Sequence, residues 1–442
     1  MKKNSKYYQF EKSLKLQTKF HELIPGGAHT YAKGDDQFPE FMPPYIIKGK
    51  GCRVWDVDGN EYIEYSNGIR RVTLGHAFEP IIKAAYQQMQ NRTNFVRPAS
   101  IELEYAEEFL DVLEGTEMIK FGKNGSDAVN GAIRLSRAFT GRDKIGICAD
   151  HPFFSVDDWF IATTPMSAGI PETAKKITTM FNYNNIDSVE KMFADNPNQI
   201  ACVILEPEKY TPPKDNFLHK LKDICHKNGA IFILDEMITG FRAHIGGAQK
   251  KYNVIPDLST FGKAMANGFS ISALAGKREL MELGGLKHKK EKVFLLSLTH
   301  GGETHAIAAA RATLNFYKTN SVIEKLAAQG NKLKAGLSKA AEELQLSNYF
   351  QMIGPDYCSV YTTLDSDEKH SEEFRTLFLQ ETIKQGLLMP STIVSYSHED
   401  KDIEETVEKV YDALIVYKKA LNEGIDKYLV GKSIKPVFRK YN

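Results

Sequence analysis

No run in this 442-residue chain approaches the ~18 consecutive apolar residues of a membrane-crossing helix, so a membrane partner is not expected. An excess of one charge is missing as well. The 57 lysines and arginines against 56 aspartates and glutamates leave a formal net charge of +1, with no bulk attraction to nucleic acid. Cysteine is scarce and unpatterned. Cys52, Cys148, Cys202, Cys225 and Cys358 show no CxxC spacing and read as reduced, buried thiols of a cytoplasmic protein, and no metal site is expected. Internal repeats and low-complexity linkers are also lacking. What remains as partners are small molecules and other protein subunits, handled by a chain too long for one ordinary core.

What is present centres on the stretch from Ala230 to Lys263. Ala230-Ile231-Phe232-Ile233-Leu234 has no polar alternation, which predicts a strand buried on both faces, and Asp235-Glu236 ends it at the edge where α/β sheets bind ligands. A second strand, Asp257 to Phe261, ends in Gly262-Lys263, with small neighbours Ala264 and Gly268 that allow close approach. Burial favours the neutral amine, which makes Lys263 a candidate Schiff-base nucleophile. Paired with a carboxylate that keeps a pyridine nitrogen protonated, this is what pyridoxal phosphate chemistry requires. Read without each other, Asp235 is a helix cap and Lys263 a surface amine.

Asp235-Glu236-Met237-Ile238-Thr239-Gly240-Phe241-Arg242 followed by Phe261-Gly262-Lys263 resembles the signature of the class III pyridoxal-phosphate aminotransferases. The subgroup it is most similar to contains glutamate-1-semialdehyde aminomutase, and the likeness runs from about Pro25 to the last helix. It implies an α/β protein of PLP-dependent transferase fold type I, with a mainly parallel central sheet in the large domain. A smaller α+β domain would combine both chain ends. The boundaries expected are 1–75 and 320–442 for the small domain and 76–319 for the large one.

Along the chain, a helical pattern from Tyr8 to Leu23 ends at Pro25-Gly26-Gly27, and the loop that follows carries Lys33. Tyr45 to Tyr65 alternates as an antiparallel meander around an Asp-Gly-Asn turn. Arg70 and Arg71 stand in a Gly-rich apolar segment. Composition alone leaves them as a solvated turn, whereas the resemblance places them with Lys33 at the mouth of a substrate pocket. If the segment is extended, neighbours face opposite ways and one arginine meets an anionic substrate. Asn124-Gly125-Ser126 opens a helix after a strand. Fresh N–H groups there suit a phosphate, although Ser126 serves equally as an N-cap.

The resemblance implies further roles. Phe153 replaces the family's ring-stacking tyrosine, within a Pro152-Phe153-Phe154 run that lacks the usual histidine and glycine, and Met237 faces the other side of the ring. Glu206, ending the strand Gln199 to Leu205, lies by the cofactor edge or in a structural ion pair. Val293 to Ser297 reads as one more strand, and Thr299 after it is expected to reach the cofactor phosphate of a second subunit in a homodimer. Gly302-Glu303-Thr304 departs from the family's Gly-Asn-Pro.

Three functions are open on these residues. The first is transamination between a small-molecule amino donor and an anionic aldehyde or keto acceptor, such as a sugar or a surface-polysaccharide precursor. The second is a 2,1-aminomutase, which shares every cofactor residue. The aminomutase pattern, however, has arginine in place of Lys33 and a glutamate-bearing segment in place of Thr392-Ile393-Val394-Ser395. The third is an inactive homologue acting as a binding protein, which the joint presence of Asp235 and Lys263 opposes.

Overall fold

The computed structural model describes residues 9–151 and 153–441, which leaves Tyr8 and Pro152 outside. Two compact units emerge. One combines the chain up to Phe78 with Glu324–Val437, and the other holds Glu79–Ile323 with the tail from Phe438.

In the first unit, β1 (Ile46–Lys50), β2 (Arg53–Asp56) and β3 (Glu61–Glu64) form an antiparallel meander. Its turn is organised by buried Asp56, which accepts from the backbone N–H groups of Asp58 and Asn60 and from the hydroxyl of Tyr62. The helix before it spans Glu11–Leu23 and stops ahead of Pro25, which cannot continue the hydrogen-bond ladder.

The second unit is built on a seven-stranded sheet. Its strands are β4 (Met118–Gly122), β5 (Lys144–Cys148), β6 (Thr178–Phe181), β7 (Ile200–Leu205), β8 (Ile231–Asp235), β9 (Leu258–Phe261) and β10 (Ser272–Gly276). The order is β4-β10-β9-β8-β7-β5-β6, parallel from β9 to β6, with β10 antiparallel to both neighbours. β7, β8, β9 and β10 are buried along their whole length, as the apolar runs of β7 and β8 predict, and clusters of buried side chains cover the sheet. Two later strands, β11 (Phe350–Ile353) and β12 (Val360–Thr363), pair with each other in the first unit, and β13 (Leu387–Leu388) adds to β3 in parallel.

The strand expected at Val293 to Ser297 is absent. Val293 and Leu295 do alternate inward into the core, but the carbonyls of Phe294 and Leu295 are taken by the Arg134 guanidinium at 2.7 and 3.1 Å. A single guanidinium nitrogen, Arg134 Nη1, thus satisfies both carbonyls where a neighbouring strand was expected.

Candidate active site

β7 and β8 pair with Leu205 opposite Leu234, so the next residues, Glu206 and Asp235, leave the sheet side by side at its carboxyl edge. Both are buried. β9 lies on the other flank with Thr260 opposite Asp235, and the Thr260 hydroxyl donates to Asp235 Oδ1 at 3.1 Å. The N–H of Met237 donates to the same oxygen at 3.0 Å. Burial, and then the charge of Glu206, push the Asp235 carboxyl up to about 7, against the opposing pull of Lys263 and the two hydrogen bonds. A carboxyl so placed gains most from a cation brought against it.

Glu236, one residue on, does something different. Its carboxylate accepts from the N–H groups of Ala248 and Gln249 at 2.7 Å each and from the Thr239 hydroxyl, and so caps the turn Ala248–Lys251. Burial raises this carboxyl too, to about 7. The acidic pair therefore divides into one residue that faces the sheet edge and one that holds a turn.

Lys263 opens the short turn Lys263–Ala266 directly after β9, half-buried, with a φ of 43°. A side chain in this left-handed region is strained, and such strain persists where the surroundings over-determine it. The close packing nearby explains Gly262 and Gly125. A Cβ on Gly262 would lie 2.6 Å from the Met237 sulfur, and one on Gly125 would lie 3.0 Å from it. Met237 is thus wedged between the lysine-bearing turn and the start of the helix Gly125–Thr140.

At that helix start, Asp127 takes the N–H groups of Lys123 and Asn124 at 2.9 and 2.7 Å, and the first-turn amides of Gly125 and Ser126 remain to meet an anion. Ser126 Oγ accepts from the N–H of Val156, which ties the Phe153 segment to the helix start. Phe153 is exposed, and its ring lies edge-on to Phe160, whereas Phe154 belongs to the core. Thr299 is exposed, with its carbonyl bonded to Asn94.

These features fit pyridoxal phosphate: a carboxyl in need of a cation at one end, helix N–H groups for phosphate at the other, and an amine beside the carboxyl. Asp235, Met237, Gly125 and Lys263 are brought together here, and Glu206 joins them through its charge. Thr260, His151 and Lys209 were not singled out in the sequence. A hydroxyl inside the buried run Leu258–Phe261 was the available signal for Thr260. His151 accepts the N–H of Glu206 at Nδ1, and Lys209 lies against the Glu206 carboxylate, and nothing local announces either contact.

The cations Lys33, Arg70 and Arg71 belong to the other unit. The segment is not extended, contrary to expectation. Asn67, Gly68, Ile69 and Arg70 all have φ between 47° and 64°, a left-handed turn. Asn67 Nδ2 anchors it on the Ile393 carbonyl at 2.8 Å, and the N–H groups of Arg71 and Val72 close back onto Asn67. The two arginines consequently differ by burial rather than by strand face, with Arg70 half-buried and Arg71 exposed. Arg71 Nε donates to the Gly68 carbonyl. Partial burial and the nearby Arg71 charge hold the Lys33 amine below its ordinary range, so Lys33 and Arg71 form a pair of neighbouring like charges.

The profile of the family described as aminotransferase class-III matches residues 31–414. A glutamate-1-semialdehyde 2,1-aminomutase from Sulfurihydrogenibium sp. (strain YO3AOP1) is 32% identical over 430 residues, covering 91% of this chain and 98% of its own. The enzyme of the same name from Acetivibrio thermocellus is 33% identical over 422 residues, covering 90% and 96%. Among solved structures, the FumI protein of Sphingopyxis sp. MTA144 in its PLP internal aldimine form superposes with a TM-score of 0.83. It is 25% identical and covers 93% of this chain and 97% of its own.

Proposed function

This chain belongs to the class III aminotransferase family and is a pyridoxal-phosphate-dependent enzyme, and from that premise we propose that it moves an amino group between a small-molecule donor and an anionic aldehyde or keto acceptor. When bound, the cofactor supplies the electron sink that stabilises charge at the substrate's α-carbon. Lys263 Nζ would hold the cofactor and would take and return the proton at that carbon. Asp235 would keep the ring nitrogen protonated. Gly125 and Ser126 would hold the phosphate through backbone N–H groups, with Asn124 at the helix cap. Phe153 and Met237 would pack against the cofactor ring, and Glu206 would support it.

The anionic acceptor is supported by the three cations Lys33, Arg70 and Arg71 in one unit, where burial and then the Arg71 charge hold the Lys33 amine low, an arrangement a carboxylate or phosphate would relieve. A sugar bearing such a group belongs to this class. The aminomutase reading is favoured by the names of the relatives at 32% and 33% identity. Against it, Thr392, Ile393, Val394 and Ser395 are buried, and Ile393 serves as the anchor of the arginine-bearing turn.

The same reading includes a cytoplasmic homodimer. Ile82, Tyr86 and Met89 are exposed at the spacing of one helical face, suited to a second copy, and Thr299 would serve the partner's phosphate. The five cysteines are free and buried, and no helix among the described residues is long and apolar enough to cross a membrane.

The decisive experiment loads the enzyme with the aminated cofactor and screens carbonyl compounds for return of the original visible spectrum. Anionic acceptors should restore it and neutral analogues should not. Turnover of glutamate-1-semialdehyde to an isomer with no external donor would select the aminomutase instead.

A further inference from the structure

We propose that Lys209 is a positioning residue of the cofactor site, whose ammonium holds the buried Glu206 carboxylate in place beside Asp235. The inference rests on the cofactor reading of Asp235 given above. Glu206 and Asp235 are neighbours because β7 and β8 pair in register up to Leu205 and Leu234. Two carboxyl groups buried side by side cannot both ionise without a cation nearby. Lys263 attends Asp235, and Lys209 attends Glu206.

The geometry around Glu206 is that of a charge held by charge. Its Oε2 is buried and accepts no hydrogen bond, and Lys209 Nζ stands 3.5 Å from it. The side chains of Lys209 and Glu206 are only 11% and 5% exposed. At that separation the lysine offers Coulombic attraction rather than a directed bond, which is strong in a poorly solvated place. Other groups near Glu206 do not substitute for it. His151 accepts the Glu206 N–H at Nδ1 and is driven down to about 4 by burial, so it is neutral. Cys148 is driven up to about 12 by burial, Tyr183 is raised likewise, and Asp150 carries the same sign as Glu206. Lys209 is therefore the cation that answers Glu206.

The consequence reaches Asp235. Glu206 is the charge that most raises the Asp235 carboxyl after burial itself, so the state of Glu206 sets the pH at which Asp235 ionises. If Lys209 is neutralised, nothing holds the Glu206 carboxylate against Asp235; it turns away, its charge there weakens, and Asp235 ionises at lower pH.

The test follows the carboxyl infrared band of the cofactor-free enzyme against pH, with affinity for pyridoxal phosphate measured alongside. Lys209→Met should move the Asp235 midpoint in the acid direction by about one pH unit, a tenfold change in the equilibrium. Lys209→Arg should leave it in place. Glu206→Gln should produce the same acid shift, and the double variant no more than either single change, because both act through one charge. The double variant buries no unpaired charge and keeps the comparison open if Lys209→Met does not fold. An unchanged midpoint in Lys209→Met, or additive shifts, overturns the proposal. Asp235→Asn serves as the separate control. Because Glu236 is raised to the same range, the difference between the parent and this variant isolates the Asp235 band; if the spectrum of bound pyridoxal phosphate is unchanged in Asp235→Asn, the cofactor reading fails independently of Lys209.

Discussion

The two groups of candidate residues stand on different kinds of backbone. Asp235, Glu206 and Lys263 follow buried strands whose neighbours hold them in register, so their positions are set by a ladder of hydrogen bonds. Arg70 and Arg71 stand on or beside a left-handed turn tied to a distant segment by the bond from Asn67 to Ile393. Sheet register leaves little freedom to relocate a strand-end residue, whereas a turn can be re-aimed by a few substitutions. Chemistry common to a family suits the first kind of place, and choice of substrate suits the second.

The comparison breaks if a strand-end residue proves dispensable. Lys263→Ala should abolish turnover and leave no cofactor adduct after borohydride reduction, and an adduct found by mass spectrometry on another lysine would refute the assignment. Asp235→Asn should retain the cofactor yet lower turnover by roughly two to four orders of magnitude, because an amide cannot hold the ring nitrogen protonated. Steady-state rates near those of the parent enzyme would remove Asp235 from the chemistry.

Effects on the turn should be smaller and confined to substrate. Arg71→Ala and Lys33→Met are each expected to lower kcat/KM for the anionic acceptor by about tenfold to a hundredfold. Reaction of the enzyme with a small neutral amine should continue unchanged. Arg70→Ala, altering the half-buried member, should show mainly as a lower melting temperature. Should Arg70→Ala alone raise KM while Arg71→Ala does not, the assignment within the pair is reversed.

Asp235 and Glu236 sharpen the contrast within a single strand end. Glu236→Gln should cost about 1–3 kcal/mol of stability, as expected for a buried acceptor that loses part of its hydrogen bonding, with little effect on chemistry in the protein that folds. Denaturant titration measures the first and assay of the folded fraction the second.

The smallest effect concerns pH. Asp235 and Glu236 have carboxyls raised from ordinary values of 3.8 and 4.5 to about 7, so the folded chain binds their protons more tightly than the unfolded chain. Their contribution to stability is fully present below the ordinary values and is lost as pH rises towards 7. Cofactor-free protein should therefore melt a few degrees lower at pH 7 than these two groups would allow at pH 5. Saturating pyridoxal phosphate should remove the Asp235 share, because the ring nitrogen then supplies its cation. Asp257 acts in the opposite sense. Burial opposes its ionisation, but bonds from Lys277, the Phe232 N–H and His226 hold it below 3.8, so its contribution is lost only as pH falls below that value.

The alternation of residues on a strand and the unbroken apolar character of a buried one are local properties. For that reason the sequence by itself determined that Ala230 to Lys263 would be two sheet strands carrying a carboxylate and an amine at their ends. The Asn124-Gly125-Ser126 helix start was legible for a similar reason, since N-terminal donors are unsatisfied in any helix. Val293 to Ser297 shows the limit, because alternation specifies which side chains point inward but not whether a neighbouring strand exists to receive the backbone. Only the tertiary structure decided that Arg134 takes those carbonyls, that Glu236 caps a turn while its neighbour faces the sheet edge, and that Lys209 lies against Glu206. It also decided that Arg70 and Arg71 differ by burial. Each of these outcomes depends on a partner distant in sequence or on a backbone shape stabilised by one, and burial makes such a partner necessary without specifying where in the chain it lies.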